Sequence, residues 1–156
     1  MARVAVISDT HGSIDNIPLF SARLGQVDSL FHLGDVVEDA PRLAEKLNSG
    51  YVCVRGNCDY RHDIPVERIV TWFKHRILLV HGHLYSSPLS LYYKAKAEGC
   101  SAICYGHSHI PVLEFKDGIL MLNPGSLSRP RSQSGPSCAV LTITEQAIAA
   151  ELLYRQ

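Results

Sequence analysis

The sequence has no excess of charge of either sign. Its 156 residues include 15 lysines and arginines and 15 aspartates and glutamates, which give a formal net charge of zero. A neutral chain has no long-range field that would attract nucleic acid or an anionic bilayer. We therefore expect no extended nucleic-acid surface, while a small anionic ligand held by a local metal charge stays open.

Long hydrophobic runs and targeting segments are also missing. No apolar stretch approaches the roughly 20 residues that a membrane-spanning helix needs. The short apolar run within residues 1–7 lacks the features of a secretory signal. We expect a cytoplasmic protein that makes no contact with a membrane.

Cysteine is scarce and irregularly spaced. The chain has five cysteines, an odd number, and no Cys-x-x-Cys pair. This excludes the disulfide framework of small secreted domains and the common zinc-finger patterns. We expect free thiols in a reducing compartment, with Cys100 and Cys104 in the core; the other cysteines are Cys53, Cys58 and Cys138.

The amino-acid composition is that of an ordinary globular domain. Hydrophobic residues make up 46% of the chain, and 156 residues suffice for a substantial core. We find no internal repeat, low-complexity tract or linker. The expectation is a single domain that spans residues 1–156.

Short apolar runs alternate with polar loops that contain glycine. Helices are predicted at residues 14–24, 41–47 and 89–97, with Asp39 as a candidate cap of the second. The early strand–helix alternation predicts parallel pairing, and the later run of strands predicts antiparallel pairing. Two packed mixed sheets with helices outside satisfy both, with strands at residues 3–7, 28–33, 51–54, 66–73, 76–80, 101–105, 111–115, 118–122, 137–144 and 147–153.

Polar side chains follow five of these predicted strands at the point where each strand ends. Functional sites in open α/β sheets collect beyond the carboxyl ends of the strands. We therefore expect seven nitrogen and oxygen ligands along one rim: Asp9, His11, Asp35, Asn57, His81, His107 and His109.

The ligand types indicate a divalent transition metal. Carboxylate, imidazole and amide oxygen suit manganese, iron or zinc without any thiolate. Seven ligands exceed what one ion takes from a protein, whereas two ions about 3.5–4 Å apart that share a carboxylate would use them all. Taken singly, each segment is more often turn chemistry, a helix cap or loop surface than a metal site, and it is the ordered occurrence of all five that favours metal binding.

Five segments in order resemble the signature blocks of calcineurin-like metallophosphoesterases: residues 8–12 (SDTHG), 34–35 (GD), 56–59 (GNCD), 81–83 (HGH) and 106–109 (GHSH). The short chain and residues 123–126 (NPGS) are most similar to the YfcE-type phosphodiesterases. The resemblance implies a four-layer αββα sandwich of two mixed β-sheets flanked by helices. It also implies a metal-dependent phosphodiesterase acting on a small phosphodiester.

The resemblance further implies roles for individual residues. Asp35 would bridge two divalent ions, and a water or hydroxide between the ions would attack phosphorus. Manganese is the expected metal, with nickel, iron and zinc as alternatives, and a homodimer or homotetramer is plausible for the family. One ion would be held by Asp9, His11 and His109, and the other by Asn57, His81 and His107.

One position departs from the family pattern. Many members carry a histidine after the asparagine of the third block, and that histidine is taken to protonate the leaving oxygen; here the residue is Cys58. A thiol is a poor substitute for imidazolium, so we expect weak activity on alkyl monoesters and better activity on diesters with good leaving groups. The expected catalytic residues are Asp35, Asn57 and Cys58.

Other polar residues could have either a functional or a structural role. Asn57 and Arg129 are expected to contact substrate, and Arg131 could join them, but a solvated loop at residues 128–136 explains both arginines as well. His32 and Asp59 are expected to support the ligands. Two further expectations are that His83 lies near the site without being a ligand, and that His62 and His75 face solvent.

Two alternative functions remain open at this point. The retromer scaffold subunit resembles the same fold and works through protein contacts, so a metal-binding scaffold is possible. The complete ligand set favours the enzyme. A zinc hydrolase of non-phosphate esters is the third reading, and the absence of HExxH and Gly-x-Ser-x-Gly motifs speaks against it.

Overall fold

The computed structural model describes residues 1–155. Within that range, two five-stranded sheets carry the fold. The first sheet has the order β10-β9-β1-β2-β3 and the second the order β4-β5-β6-β8-β7. The strands are β1 (Ala2–Ile7), β2 (Ser29–His32), β3 (Gly50–Cys53), β4 (Glu67–Trp72), β5 (His75–Val80), β6 (Ala102–Cys104), β7 (Val112–Lys116), β8 (Ile119–Asn123), β9 (Ser137–Ile143) and β10 (Ile148–Tyr154).

Both sheets are mixed, as predicted. In the first sheet β1, β2 and β3 run parallel, while β9 pairs antiparallel with β1 and β10. In the second, β5, β6 and β8 are parallel, and the edge strands β4 and β7 are antiparallel. The parallel strands therefore present their carboxyl ends at common edges, which is where the polar residues follow.

Alternation of side chains along the strands produces the layers. Val4 and Val6 of β1 face the second sheet and pack in one cluster with Ile77 and Leu79 of β5. The intervening residues of β1 point outward, onto a short helix α1 (Ser21–Leu24) and onto α2 (Asp39–Leu47). Helix α3 (Pro88–Ala97) covers the outer face of the second sheet. The result is the predicted four-layer αββα sandwich.

The helix predicted at residues 14–24 is wrong in its extent. The chain forms a 3₁₀ turn at Ile17–Leu19 and then only the four-residue α1. Pro18 has no N–H to donate, and its ring would clash with the carbonyl four residues earlier, so one continuous helix cannot form. The predicted stop is confirmed, because Gly25 caps α1 at φ +59°.

Two other expectations are corrected. Asp39 does not cap α2; it lies inside the helix, and its Oδ2 accepts the backbone N–H of Gly12 at 2.9 Å. His75 is buried rather than solvent-facing, since it begins β5 and its Nε2 donates to the carbonyl of Thr144 at 3.1 Å. His62 is exposed, as expected.

The remaining global expectations concern helices and thiols. No helix in residues 1–155 is long and apolar enough to cross a membrane. All five cysteines are free, and Cys100 and Cys104 are buried in the core.

Candidate metal centre

The predicted ligands follow the strand ends of both sheets and converge between them. Ligand atoms of four residues lie within 4.8 Å of one another, which are Asp9, His11, Asp35 and His109. Asp9 Oδ1 is 3.1 Å from His109 Nε2, and Asp35 Oδ2 is 3.6 Å from His11 Nε2. Asp9 and Asp35 are both almost fully buried. These four residues form the centre of a candidate metal site.

His81 joins this centre from the second sheet. It directly follows β5 and is completely buried. Its Nε2 lies 3.4 Å from Asp35 Oδ2 and 3.7 Å from Asp9 Oδ1. The two carboxylates are therefore each approached by imidazoles from more than one direction.

Two of the imidazoles have their tautomer set by backbone carbonyls. His81 Nδ1 donates to the carbonyl of Leu33 at 2.7 Å, and His109 Nδ1 donates to that of Arg129 at 2.6 Å. A carbonyl can only accept, so the proton of each neutral ring sits on Nδ1. Each Nε2 then presents a lone pair to the carboxylates, which is the arrangement of histidines that ligate metals.

Unpartnered buried atoms test whether a cation fits here. Within the described chain, Asp9 Oδ1 and His81 Nε2 are buried and have no hydrogen-bond partner. An unpaired buried carboxylate oxygen is strongly unfavourable unless a cation or a donor reaches it. Both atoms point into the same centre, and both are hard-to-borderline donors. The residues present therefore fit a divalent cation.

Asn57, Cys58 and His107 lie at the wall of an open cleft beside this centre. The cleft has a volume of about 280 Å³ and is also lined by Arg129 and Arg131. The His107 ring is 5.2 Å from the His81 ring, centroid to centroid. The Asn57 side chain is exposed, and its Nδ2 is 3.7 Å from Cys58 Sγ. These residues are near the four-residue centre but outside it. As expected, His83 is close as well, with its ring 5.5 Å from that of His81.

The loops that carry the ligands adopt an unusual backbone conformation. Six non-glycine residues of the site have a positive φ, a conformation that costs roughly 1–2 kcal/mol for an L-residue. Such strain persists only where surrounding contacts hold it, and it concentrates at functional sites. The residues are Asp9 (φ +55°), His11 (+47°), Asp35 (+62°), Val36 (+69°), His107 (+69°) and His109 (+60°).

Asp59 holds the loop after β2 in this strained form. Its Oδ2 accepts the backbone N–H of Asp35 at 2.8 Å and of Gly56 at 2.7 Å. Its Oδ1 accepts the N–H of Val36 at 2.7 Å and of Val37 at 2.9 Å. A single buried carboxylate thus joins the loops after β2 and β3. The supporting role expected for Asp59 takes the form of a backbone clamp.

Three serines that were not predicted as site residues hold the loop after β1. Ser126 Oγ donates to the Asp9 carbonyl at 2.8 Å, and Ser128 Oγ donates to the Thr10 carbonyl at 2.7 Å. Ser8 Oγ donates to Asp9 Oδ2 at 2.6 Å. Ser126 belongs to the NPGS segment, which the family resemblance singled out. Ser126 and Ser128 lie more than a hundred residues from Asp9, beyond the reach of local patterns.

Two glycines allow the carboxylates to be approached closely. A Cβ at Gly56 would lie 2.3 Å from Asp35 Oδ1, and a Cβ at Gly106 would lie 2.7 Å from Asp9 Oδ2. Any other residue would displace the carboxylates or the backbone. The glycines of the GN and GHSH segments are therefore steric requirements of this site.

Neighbouring charges and burial shift the pKa values of the ionisable groups in different directions. Burial alone would raise the pKa of the Asp35 carboxyl, but His81 and the Cys58 N–H hold that pKa well below its ordinary value. Asp9 raises the pKa of His109, while for His81 the contacts with Asp35 and Asp9 outweigh burial and raise its pKa too. Burial lowers the pKa of His11 and His107. Ionised carboxylates thus favour cations at this centre.

Comparison with known proteins places these features in a family. Residues 2–146 match the calcineurin-like phosphoesterase superfamily domain. The chain is 37% identical over 148 residues to the probable metallophosphoesterase YsnB of Bacillus subtilis, covering 92% of this chain and 86% of that protein. It is 31% identical over 186 aligned positions to the phosphodiesterase YfcE of Escherichia coli K12, covering 97% and 98%.

A solved structure repeats the architecture at lower identity. Vps29 from Entamoeba histolytica, crystallised with zinc, superposes with a TM-score of 0.79 and covers 99% of both chains. The two sequences are 19% identical. At this distance the likeness is one of fold alone.

Proposed function

The chain belongs to the calcineurin-like phosphoesterase superfamily and is a metal-dependent phosphodiesterase. We propose that it hydrolyses small phosphodiesters with two divalent cations, which the seven candidate ligands at the rim would hold. The observation that carries this proposal is the pair of buried, unpartnered atoms, Asp9 Oδ1 and His81 Nε2, which face one centre from the two sheets.

The proposed ligand assignment is the one that the family resemblance implies. Asp9, His11 and His109 would hold one cation, and Asn57, His81 and His107 the other. Asp35 would be shared, because its Oδ2 is about equally distant from His11 Nε2 (3.6 Å) and His81 Nε2 (3.4 Å). Manganese is the proposed metal, with nickel, iron and zinc as alternatives that suit the same donors.

The bound cations would lower the pKa of coordinated water toward about 7 and offset negative charge on the phosphate oxygens. The chain's own residues position the imidazoles and contact the substrate. The ionised Asp35 orders the imidazoles around itself, and the Leu33 and Arg129 carbonyls keep His81 and His109 in the tautomer with a free Nε2. Asn57 would contact the reacting phosphate from the cleft wall, and Arg129 would contact another part of the substrate.

Cys58 determines which leaving groups are tolerated. Burial and the neighbouring Asp35 raise the pKa of its thiol, so the thiol keeps its proton at neutral pH. It is then a much weaker acid than an imidazolium and gives the departing oxygen little help. The substrates are therefore diesters whose leaving groups depart readily, rather than alkyl monoesters.

Metal-dependent hydrolysis of a model diester tests this function. The apoprotein should be inactive on bis(p-nitrophenyl) phosphate and regain activity with manganese, nickel or zinc. Asp35→Asn should lose at least about 100-fold in kcat/KM, while Asp63→Asn in an exposed ion pair should not change it. A purified protein that binds no metal and stays inactive with each of these ions would favour the scaffold function.

The scaffold is the one alternative with an observation behind it. The chain shares the Vps29 fold and lacks the histidine expected at position 58. Against it stands the strained, buried arrangement of Asp9, Asp35 and His81, since a protein-contact surface needs no such centre. The same metal and activity measurements distinguish the two functions.

A further inference from the structure

We propose that Arg129 and Arg131 form a subsite for a second phosphate, so that the substrate is a diester that also carries a terminal phosphate monoester. This inference rests on the proposed phosphodiesterase function and names its substrate class. It is carried by the position, the free charge and the anchoring of the two arginines.

The two arginines stand at the same cleft wall as the candidate ligands. Both line the cleft with His11, His107 and His109, and both side chains are exposed. They lie two positions apart on the loop that follows β8. A group bound to them would therefore sit beside a phosphate held at the centre.

The backbone of this loop is tied to a ligand rather than free. The Arg129 carbonyl accepts from His109 Nδ1 at 2.6 Å, and the Arg131 N–H donates to the His109 carbonyl at 3.2 Å. The Arg129 N–H donates to Ser126 Oγ at 2.8 Å. The backbone of both arginines is thus held in place beside His109. Less conformational entropy is therefore lost when the two side chains bind a ligand.

Neither guanidinium is used by the protein itself. Among residues 1–155, no carboxylate pairs with Arg129 or Arg131, whereas Arg23, Arg42 and Arg61 each have one. An arginine fork can bind two oxygens of one phosphate. Two guanidinium groups without a carboxylate partner at the edge of a cleft are suited to binding an anionic ligand.

The charge of the loaded site also favours a second phosphate. Two divalent cations would slightly more than offset the carboxylates of Asp9 and Asp35 together with one coordinated hydroxide, since metal-ligating histidines are neutral. Arg129 and Arg131 then add positive charge at the wall. A diester brings only one negative charge, whereas a terminal phosphate adds about 1.5–2 at pH 7. A substrate with both groups matches the site far better than a simple diester.

A matched pair of substrates tests the subsite. One is the p-nitrophenyl ester of thymidine 5′-phosphate, and the other is the same ester with an added 3′-phosphate. In both, water attacks the 5′ phosphorus, the bond to the p-nitrophenyl oxygen breaks, and p-nitrophenolate leaves. We expect kcat/KM to be roughly tenfold higher for the 3′-phosphorylated ester, mainly through KM.

The variants assign this preference to the two arginines. The ratio of the two kcat/KM values should fall severalfold in Arg131→Gln and approach one in Arg129→Gln/Arg131→Gln. Lys46→Gln, which removes an exposed cation on α2 away from the cleft, should keep the wild-type ratio. Binding of thymidine 3′,5′-bisphosphate over thymidine 5′-phosphate, measured by calorimetry, should change in parallel without any turnover.

Two results would overturn the subsite. One is a wild-type ratio near one, and the other is a ratio that the double variant leaves unchanged. Both require that the esters are cleaved, so they leave the phosphodiesterase function standing. If neither ester is cleaved with any of the metals, the proposed function fails instead. The subsite is then tested by calorimetry alone, and equal binding of the two thymidine phosphates would overturn it.

Discussion

At the scale of single residues, Cys58 has the clearest chemical consequence. Its thiol lines the cleft at the position where the family resemblance implies a histidine, and burial raises the pKa of that thiol. Cys58→His should therefore accelerate cleavage of esters with poor leaving groups by about 10²-fold or more, with little gain on p-nitrophenyl esters. The measurement is the slope of log kcat/KM against leaving-group pKa. An identical slope in both proteins would show that this position does not protonate the leaving group.

His32 makes a second residue-scale prediction, on stability. The ring is fully buried; its Nδ1 accepts the Gly34 N–H at 3.3 Å and its Nε2 donates to Thr10 Oγ1 at 3.0 Å. The contact at Nδ1 needs the neutral ring, because a protonated Nδ1 cannot accept a hydrogen bond, and burial lowers the pKa of His32 to about 4. The unfolded chain takes up this proton near pH 6.5, so stability is full above that pH and is lost as pH falls toward 4.

The expected loss from His32 is about 3 kcal/mol over that pH window. Urea unfolding of the metal-free protein at several pH values measures it. His32→Gln keeps a donor and an acceptor but does not titrate, so its stability should depend less steeply on pH. Equal slopes for the two proteins between pH 6.5 and 4 would contradict the assignment.

At the scale of elements, the site is built by clamps between loops rather than by the strands themselves. Asp59 gathers four backbone N–H groups from the loops after β2 and β3. Asp59→Ala would leave these donors without their acceptor, and we expect a loss of at least about 3 kcal/mol in unfolding free energy. The metal affinity should fall as well, because Asp35 and Val36 would relax from their left-handed conformation.

Asp63 in the same loop region is the matched control for Asp59. Its carboxylate is exposed and pairs with Arg61, and exposed ion pairs contribute little to stability. Asp63→Ala should leave both stability and metal affinity close to wild type. Similar losses in the two variants would show that Asp59 is not a specific clamp.

At the scale of the whole molecule, two sheets each supply part of one centre. Asp9 and Asp35 follow strands of the first sheet, and His81 and His107 follow strands of the second. The buried core between the sheets therefore fixes the distance between the two sets of candidate ligands. Because buried cores are close-packed, this spacing resists change when a cation binds or leaves.

The layers and the order of the ligand segments could be predicted because both are local. Alternating apolar residues identify the strands, and a polar residue follows each relevant strand end. Tertiary contacts could not be predicted in this way. His75 was expected at the surface, yet it meets the Thr144 carbonyl 69 positions later. Asp39 looked like a helix cap, but it binds the Gly12 N–H of a distant loop.

The most direct test of the account is the number of manganese ions bound per chain at saturation, measured by equilibrium dialysis and elemental analysis. The wild-type protein should bind two, and His81→Ala should bind one because only the Asp9, His11 and His109 group stays intact. A single ion in the wild-type protein, with the same value in His81→Ala, would contradict the dinuclear centre.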